Sequence, residues 1–206
     1  MANSVMSPLA LQAVVHDLKN ALGTLESELE RLVVQQHLAA VSPAYLQCSR
    51  LRLRLLGFLL MSGDDGRMKA QVDAHAVDDF LREVCAGFVL AAGGPSLDIA
   101  LAADCPPLAF FDDRLVNLAL HALLANAAQF ARTRIVLGAA KAAAGVMFYC
   151  EDDGPGWRCG ATPGGSGLGT SICEGVVRAH LSGLRQGQMV LATSALGGAR
   201  VELHLP

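Results

Sequence analysis

The sequence predicts an α+β chain in two parts. An antiparallel helical hairpin covers residues 1–63, and a domain of mixed helix and strand covers residues 67–206. Three observations carry this reading. Leucines recur at spacings of three and four through the first part. Ser62-Gly63-Asp64-Asp65-Gly66 then breaks the pattern as a linker. Beyond it, alternating strand signals are interleaved with helical periods.

In the hairpin, Leu11, Val15, Leu18, Leu22, Leu25, Leu29 and Leu32 form a heptad seam. Ser42-Pro43 reads as an N-cap followed by proline at the first helical position. A second run follows, with Leu46, Ser49, Leu53, Leu56 and Leu60 on its seam and Leu51, Leu55 and Leu59 widening it. A lone hairpin cannot bury a face this wide. Two copies joined as a four-helix bundle solve the problem, so a homodimer is expected.

In the second part, 76–92 reads as a helix and 96–103 as a strand with Leu97, Ile99 and Leu101 on one face. A long apolar helix is expected over 112–131, then a strand pair over 133–140 and 145–151. A helix over 168–182 and a closing hairpin of 188–193 with 199–205 complete the domain.

Composition limits the possible functions. The chain has 206 residues, 52% hydrophobic and 17% charged, which excludes a disordered tail. A net charge of −3 argues against broad electrostatic binding to nucleic acid or anionic lipid. No apolar run is long enough to insert in a membrane. Met1 to Asp17 has no basic lead and no cleavage site, so no signal peptide is expected. Six cysteines without a C-x-x-C pair read as reduced, buried thiols of a cytoplasmic protein. His37, His75, His121, His180 and His204 share no metal spacing and read as structural or surface residues.

His16 stands apart. At about 100° per residue it points roughly 150° away from the centre of the leucine stripe. It therefore cannot be a core histidine; a plain surface role is the bland alternative. Asp17 is adjacent, and Asn20 lies one turn on along the same face. An exposed imidazole beside a carboxylate can act as a nucleophile.

His16-Asp17-Leu18-Lys19-Asn20 resembles the phosphoacceptor box of bacterial two-component sensor histidine kinases. The resemblance implies that the hairpin dimerises and that His16 receives a phosphoryl group from ATP. Asp17 would be its acid/base partner and Asn20 a polar neighbour of the modified ring.

Three further motifs follow in that family's order. Ala122-Leu123-Leu124-Ala125-Asn126-Ala127-Ala128-Gln129-Phe130 is similar to the N box, which implies that Asn126 coordinates Mg²⁺ bridging the ATP phosphates. Two residues depart from the pattern. Gln129 stands where a basic residue is common, and Ala122 replaces an earlier Asn, with His121 beside it. Arg132 or Arg134 is a candidate for the missing positive charge.

Asp152-Asp153-Gly154-Pro155-Gly156 matches the D-x-G-x-G shape of the first glycine box. A carboxylate at a strand end can accept the adenine amino proton while glycines turn the backbone against the base. By resemblance that carboxylate is Asp152, with Gly154 and Gly156 forming the turn. Gly165-Ser166-Gly167-Leu168-Gly169 resembles the second glycine box. Its amides open a helix and can meet phosphate. Only eight residues, 157–164, separate the boxes, where the family has a long lid.

Together the four motifs imply a GHKL-type ATP-binding domain, a mixed sheet with helices on one face. The implied reaction takes ATP and Mg²⁺, phosphorylates His16, and passes the group to an aspartate of a response-regulator receiver domain. A separate sensory partner would supply input. Two alternatives stay open. One is a histidine phosphotransfer protein with a degenerate ATP domain; the other is a non-catalytic dimeric scaffold that binds a receiver.

Overall fold

The computed structural model describes residues 8–35, 41, 44, 45, 47–49, 51, 52, 55, 69–90, 93–156 and 168–206. The side chains of 8–17, 34, 35 and 168 are not among the described atoms.

Helix α1 runs over Pro8–Glu30 and ends in a wider turn, Arg31–Gln35. It carries most of the expected first seam. Ala44, Tyr45, 47–49, Leu51, Arg52 and Leu55 are helical too, and three of them bond to α1. The Cys48 thiol donates to the Leu22 carbonyl at 3.6 Å, and the Ser49 hydroxyl donates to Glu26 Oε1. Arg52 forms an ion pair with the same Glu26. Residues early in the second segment thus meet the later half of α1, as in a hairpin. The Ser42-Pro43 cap and the 62–66 linker lie outside the described residues.

The mixed domain contains strand β1 (Asp73–Ala76), helix α2 (Val77–Ala86), strands β2 (Ser96–Leu101) and β3 (Leu108–Phe111), and helix α3 (Asp113–Phe130). Strands β4 (Arg134–Ala142) and β5 (Gly145–Asp152) come next, then helix α4 (Leu168–Ala179). Two short strands, β6 (Leu181–Ser182) and β7 (Arg185–Gln186), precede β8 (Gln188–Thr193) and β9 (Ala199–Leu205).

The main sheet has the order β2-β4-β5-β9-β8. Strands β2 and β4 run parallel and the other pairs antiparallel, so the sheet is mixed as expected. Period-two alternation decides its faces. Ile135, Leu137, Phe148, Cys150, Val201 and Leu203 point into the core beneath the helices. Helix α2 meets them with Val77, Phe80, Leu81 and Val84, a stripe at helical spacing. Phe80, Phe111 and Phe148 make mutual edge contacts with centroids 4.8–5.6 Å apart. Cys150 and Cys173 are buried here; burial pushes the Cys150 thiol far up and the Cys173 thiol to about 12, so both act as apolar filler.

The opposite face is polar. Tyr149 lies flat over Gly138, whose absent Cβ would fall 2.3 Å from the ring. The Arg200 guanidinium stacks 3.8 Å above Tyr149 and pairs with Glu151 at 3.2 Å and Glu202 at 2.8 Å.

Several expectations are corrected. The helix expected over 76–92 stops at Ala86, because Gly87 caps it and Phe88 to Leu90 leave the helix as irregular chain against the core. The helix expected to reach Ser182 stops at Ala179. His180 takes the Val176 carbonyl with its ring, and Gly183, at φ +62°, turns the chain into the β6–β7 hairpin. Strands β1 and β3 were not expected. Among the described residues they pair only with each other, and four residues are too few to show a period.

Candidate functional site

The site is built at the C-terminal end of β5. Asp152 is that strand's last residue and is 6% exposed. Its Oδ1 accepts the Gly154 amide at 2.8 Å and the Ala199 amide at 3.3 Å. Among the described residues, none donates to Oδ2. One carboxylate oxygen is therefore fixed by the backbone, which aims the other. A buried carboxylate held this way is preorganised to accept a hydrogen bond from a ligand.

Two glycines make this geometry possible. A Cβ on Gly198 would fall 2.3 Å from Asp152 Oδ1 and 2.5 Å from the Gly154 amide nitrogen. A Cβ on Gly154 would fall 2.6 Å from the Phe130 carbonyl. The first glycine turn therefore rests on the C-terminal end of α3, the helix that carries Asn126. Gly156 adopts φ +72°, a left-handed conformation natural to glycine. Gly198 was not singled out from the sequence. Its only signal there is the Gly197-Gly198 pair before the last strand.

Asp153 does a different job from its neighbour. Its carboxylate accepts the Thr133 hydroxyl at 2.6 Å and the amides of Arg132, Thr133 and Arg134 at 2.8–3.2 Å. The Thr133 hydroxyl first, then these amides, hold its carboxyl well below the usual range despite some desolvation. Asp153 thus ties the α3–β4 turn to the end of β5, which keeps Asn126 and Asp152 in register.

Helix α3 begins at Asp112, whose side chain accepts the Leu115 amide at 3.0 Å as an N-cap. Asn126 and Gln129 are exposed on it, three residues apart on one face, whereas Ala122 is buried. An exposed side-chain amide such as that of Asn126 has an oxygen that can ligate Mg²⁺. This cation accepts few protein ligands and takes the rest from phosphate and water. Arg134 pairs with Asp98 at 2.8 Å on the sheet face turned away from the helices. Arg132 is exposed beside the end of α3.

His16 and Asp17 lie within α1, where only their backbone is described; Asn20 is exposed one turn on. Gly165 and Gly167 lie outside the described residues. Leu168 and Gly169 open α4, and a Cβ on Gly169 would touch nothing within 4 Å. The described structure therefore brings Asp152, Gly154, Gly156 and the end of α3 together. It does not place the phosphoacceptor box against them. Among the described residues, no helix is long and apolar enough to cross a membrane, and no cluster of three His, Cys, Asp or Glu could hold a metal.

No family model matches the chain, and no curated protein matches it. Solved structures do. Full-length ShkA in complex with AMPPNP is similar over 98% of this chain at 18% identity, with a TM-score of 0.65. The chain spans about half of ShkA, 46% of its length. The histidine kinase AdeS of Acinetobacter baumannii is similar at 15% identity and TM-score 0.55, over 92% of this chain and 96% of its own. The cytoplasmic segment of the histidine kinase QseC gives 18% identity and TM-score 0.54, over 77% and 94%. The chain has the fold of sensor histidine kinase cores, and the resemblance read in the sequence is borne out at that level.

Proposed function

We propose that this chain is an ATP-dependent protein histidine kinase. Residues 1–63 form its dimerising phosphoacceptor hairpin and residues 67–206 its GHKL-type ATP-binding domain. The observation that carries the reading is the Asp152 carboxylate, buried at the end of β5 and held at one oxygen by the Gly154 and Ala199 amides. Such a group suits the adenine amino function. Gly154 and Gly156 shape the turn beside the base, and the Gly165-Ser166-Gly167-Leu168-Gly169 run at the start of α4 offers amides to the phosphates. Asn126 would hold Mg²⁺, which neutralises phosphate charge when bound.

In this reading a ring nitrogen of His16 attacks the γ-phosphorus of ATP. The bond to the bridging oxygen breaks and ADP leaves. Asp17 orients the ring and takes up its proton, and Asn20 contacts the phosphorylated imidazole. An aspartate of a receiver domain then accepts the phosphoryl group, and a separate protein supplies the stimulus. Incubation with labelled ATP and Mg²⁺ tests the proposal. Acid-labile label on the wild type and none on His16→Ala is expected. Label that survives in His16→Ala would reject His16 as the acceptor.

One observation favours the phosphotransfer alternative. Beside Asn126 the exposed face of α3 carries neutral Gln129, so it offers no cation of its own to the phosphates. The same incubation separates the readings. A phosphotransfer protein takes label from a phosphorylated receiver and none from ATP.

A further inference from the structure

The helical hairpin faces the mixed domain across a narrow crevice. Glu26, Tyr45, Ser49 and Arg52 line one side, and Phe88, His121 and Ala125 the other. The crevice encloses about 10 Å³, no more than one water needs, so the two surfaces are nearly in contact. On the hairpin side, Glu26 is fully engaged by the Ser49 hydroxyl and the Arg52 guanidinium. On the domain side, the His121 ring stands edge-on to Phe88, centroids 5.8 Å apart and planes at 70°. His121 lies on α3, five residues before Asn126, and the proposed reaction does not use it.

We propose that His121 is a proton-sensitive latch: as a neutral ring it holds the hairpin docked against α3, and on taking a proton it releases it. The groups that face it decide the direction. Phe88 and Ala125 give it an apolar wall, Tyr45 is uncharged, and Arg52 and Glu26, paired with each other on the hairpin side, act on it with opposite sign. Burial acts first against the charged ring and Arg52 adds to it, while Glu26 works the other way. The docked imidazole therefore titrates below its ordinary value. Once released into water it returns to about 6.5. Docking is then complete above about pH 6.5 and weakens as the pH falls below it. One proton taken up by the open form at about pH 5.5 lowers the docked-to-open ratio by up to about tenfold.

The test reads docking rather than phosphorylation, so it stands or falls separately from the kinase proposal. The full chain, labelled at histidine, is titrated by NMR with His121→Gln used to assign the resonance. Small-angle scattering is recorded at about pH 8 and about pH 5.5. The expected results are a His121 ring that titrates below 6.5, Arg52→Gln moving that titration upward, and a wild-type chain that expands at low pH while His121→Gln does not. A ring that titrates at 6.5 or above overturns the latch. So does a size that is constant with pH, or an expansion that persists in His121→Gln.

Discussion

His180 Nε2 accepts the backbone amide of Asp112 at 2.9 Å, while its Nδ1–H donates to the Val176 carbonyl at 2.8 Å. The ring is 1% exposed, so both bonds are made without competition from water. This one imidazole closes the end of α4 and fixes the residue that caps α3. Helices α3 and α4 are thereby tied at one point.

Replacing His180 with Ala should therefore be severe. The variant leaves a buried amide and a buried carbonyl unpaired and opens a cavity. Each unmet group costs about 1–3 kcal/mol, so a total loss near 3–5 kcal/mol is expected. Urea unfolding of the two chains measures it. A loss under about 1 kcal/mol would mean that water replaces the ring without penalty.

Asp153 sets a pH dependence. Its folded pKa lies below the unfolded value, so the folded state favours the ionised form. Stability from this carboxylate is complete above the unfolded value of about 3.9 and is lost as pH falls from there towards the folded pKa. Asp153→Ala should cost about 1–2 kcal/mol at neutral pH, since the amides it serves are partly exposed and water can replace it. The gap between wild type and variant, read by thermal unfolding, should close progressively below about pH 4. A gap that is constant down to pH 2 would assign the effect to packing.

The parts of the fold legible in the sequence are those where one period rules. Strands β8 and β9 fall at the expected bounds because Val201, Leu203 and Leu205 alternate cleanly with Arg200, Glu202 and His204. Helix α3 was legible from its apolar run. Strand β1 was not, because Asp73-Ala74-His75-Ala76 has neither β-branched residues nor length. The strand-end carboxylate could be picked out at Asp152, and its neighbour's structural role could not. Asp153 bonds to residues twenty positions away, and no local pattern encodes that. Gly198 escaped notice for the same reason, since its constraint is a contact across strands.

Helix α1 leaves Leu18 49% and Leu25 46% exposed, seven residues apart on one stripe. These are the seam positions that the hairpin itself leaves uncovered, and a second copy is the proposed cover. Burying the remaining half of four such leucines in a dimer is worth about 3–6 kcal/mol. Leu18→Glu with Leu25→Glu should therefore weaken dimerisation by at least about a hundredfold, with further loss from the buried charge. Sedimentation at micromolar concentration checks it. A double variant that sediments as the wild type does would place the interface elsewhere.

The proposed nucleotide pocket makes the last prediction, because two substitutions should fail for different reasons. Asp152→Asn keeps the shape of the side chain but loses the charge. Its Oδ1 can still accept the Gly154 and Ala199 amides, so folding should change little. Hydrogen bonds to a charged group are worth about 1.5–3 kcal/mol, so ATP affinity should fall roughly tenfold or more. Gly198→Ala keeps the charge but moves it. Its new Cβ would lie 2.3 Å from Asp152 Oδ1 and 2.4 Å from the Asp152 carbonyl oxygen, and backbone and carboxylate must both shift. An error of one ångström in a preorganised site removes most of its hydrogen-bond energy, so Gly198→Ala should bind ATP at least as poorly as Asp152→Asn and be less stable as well. Calorimetric titration with ATP and Mg²⁺, run beside thermal melts, separates the two. Wild-type affinity in either variant would mean that ATP does not engage this carboxylate, and the phosphotransfer reading would then gain ground.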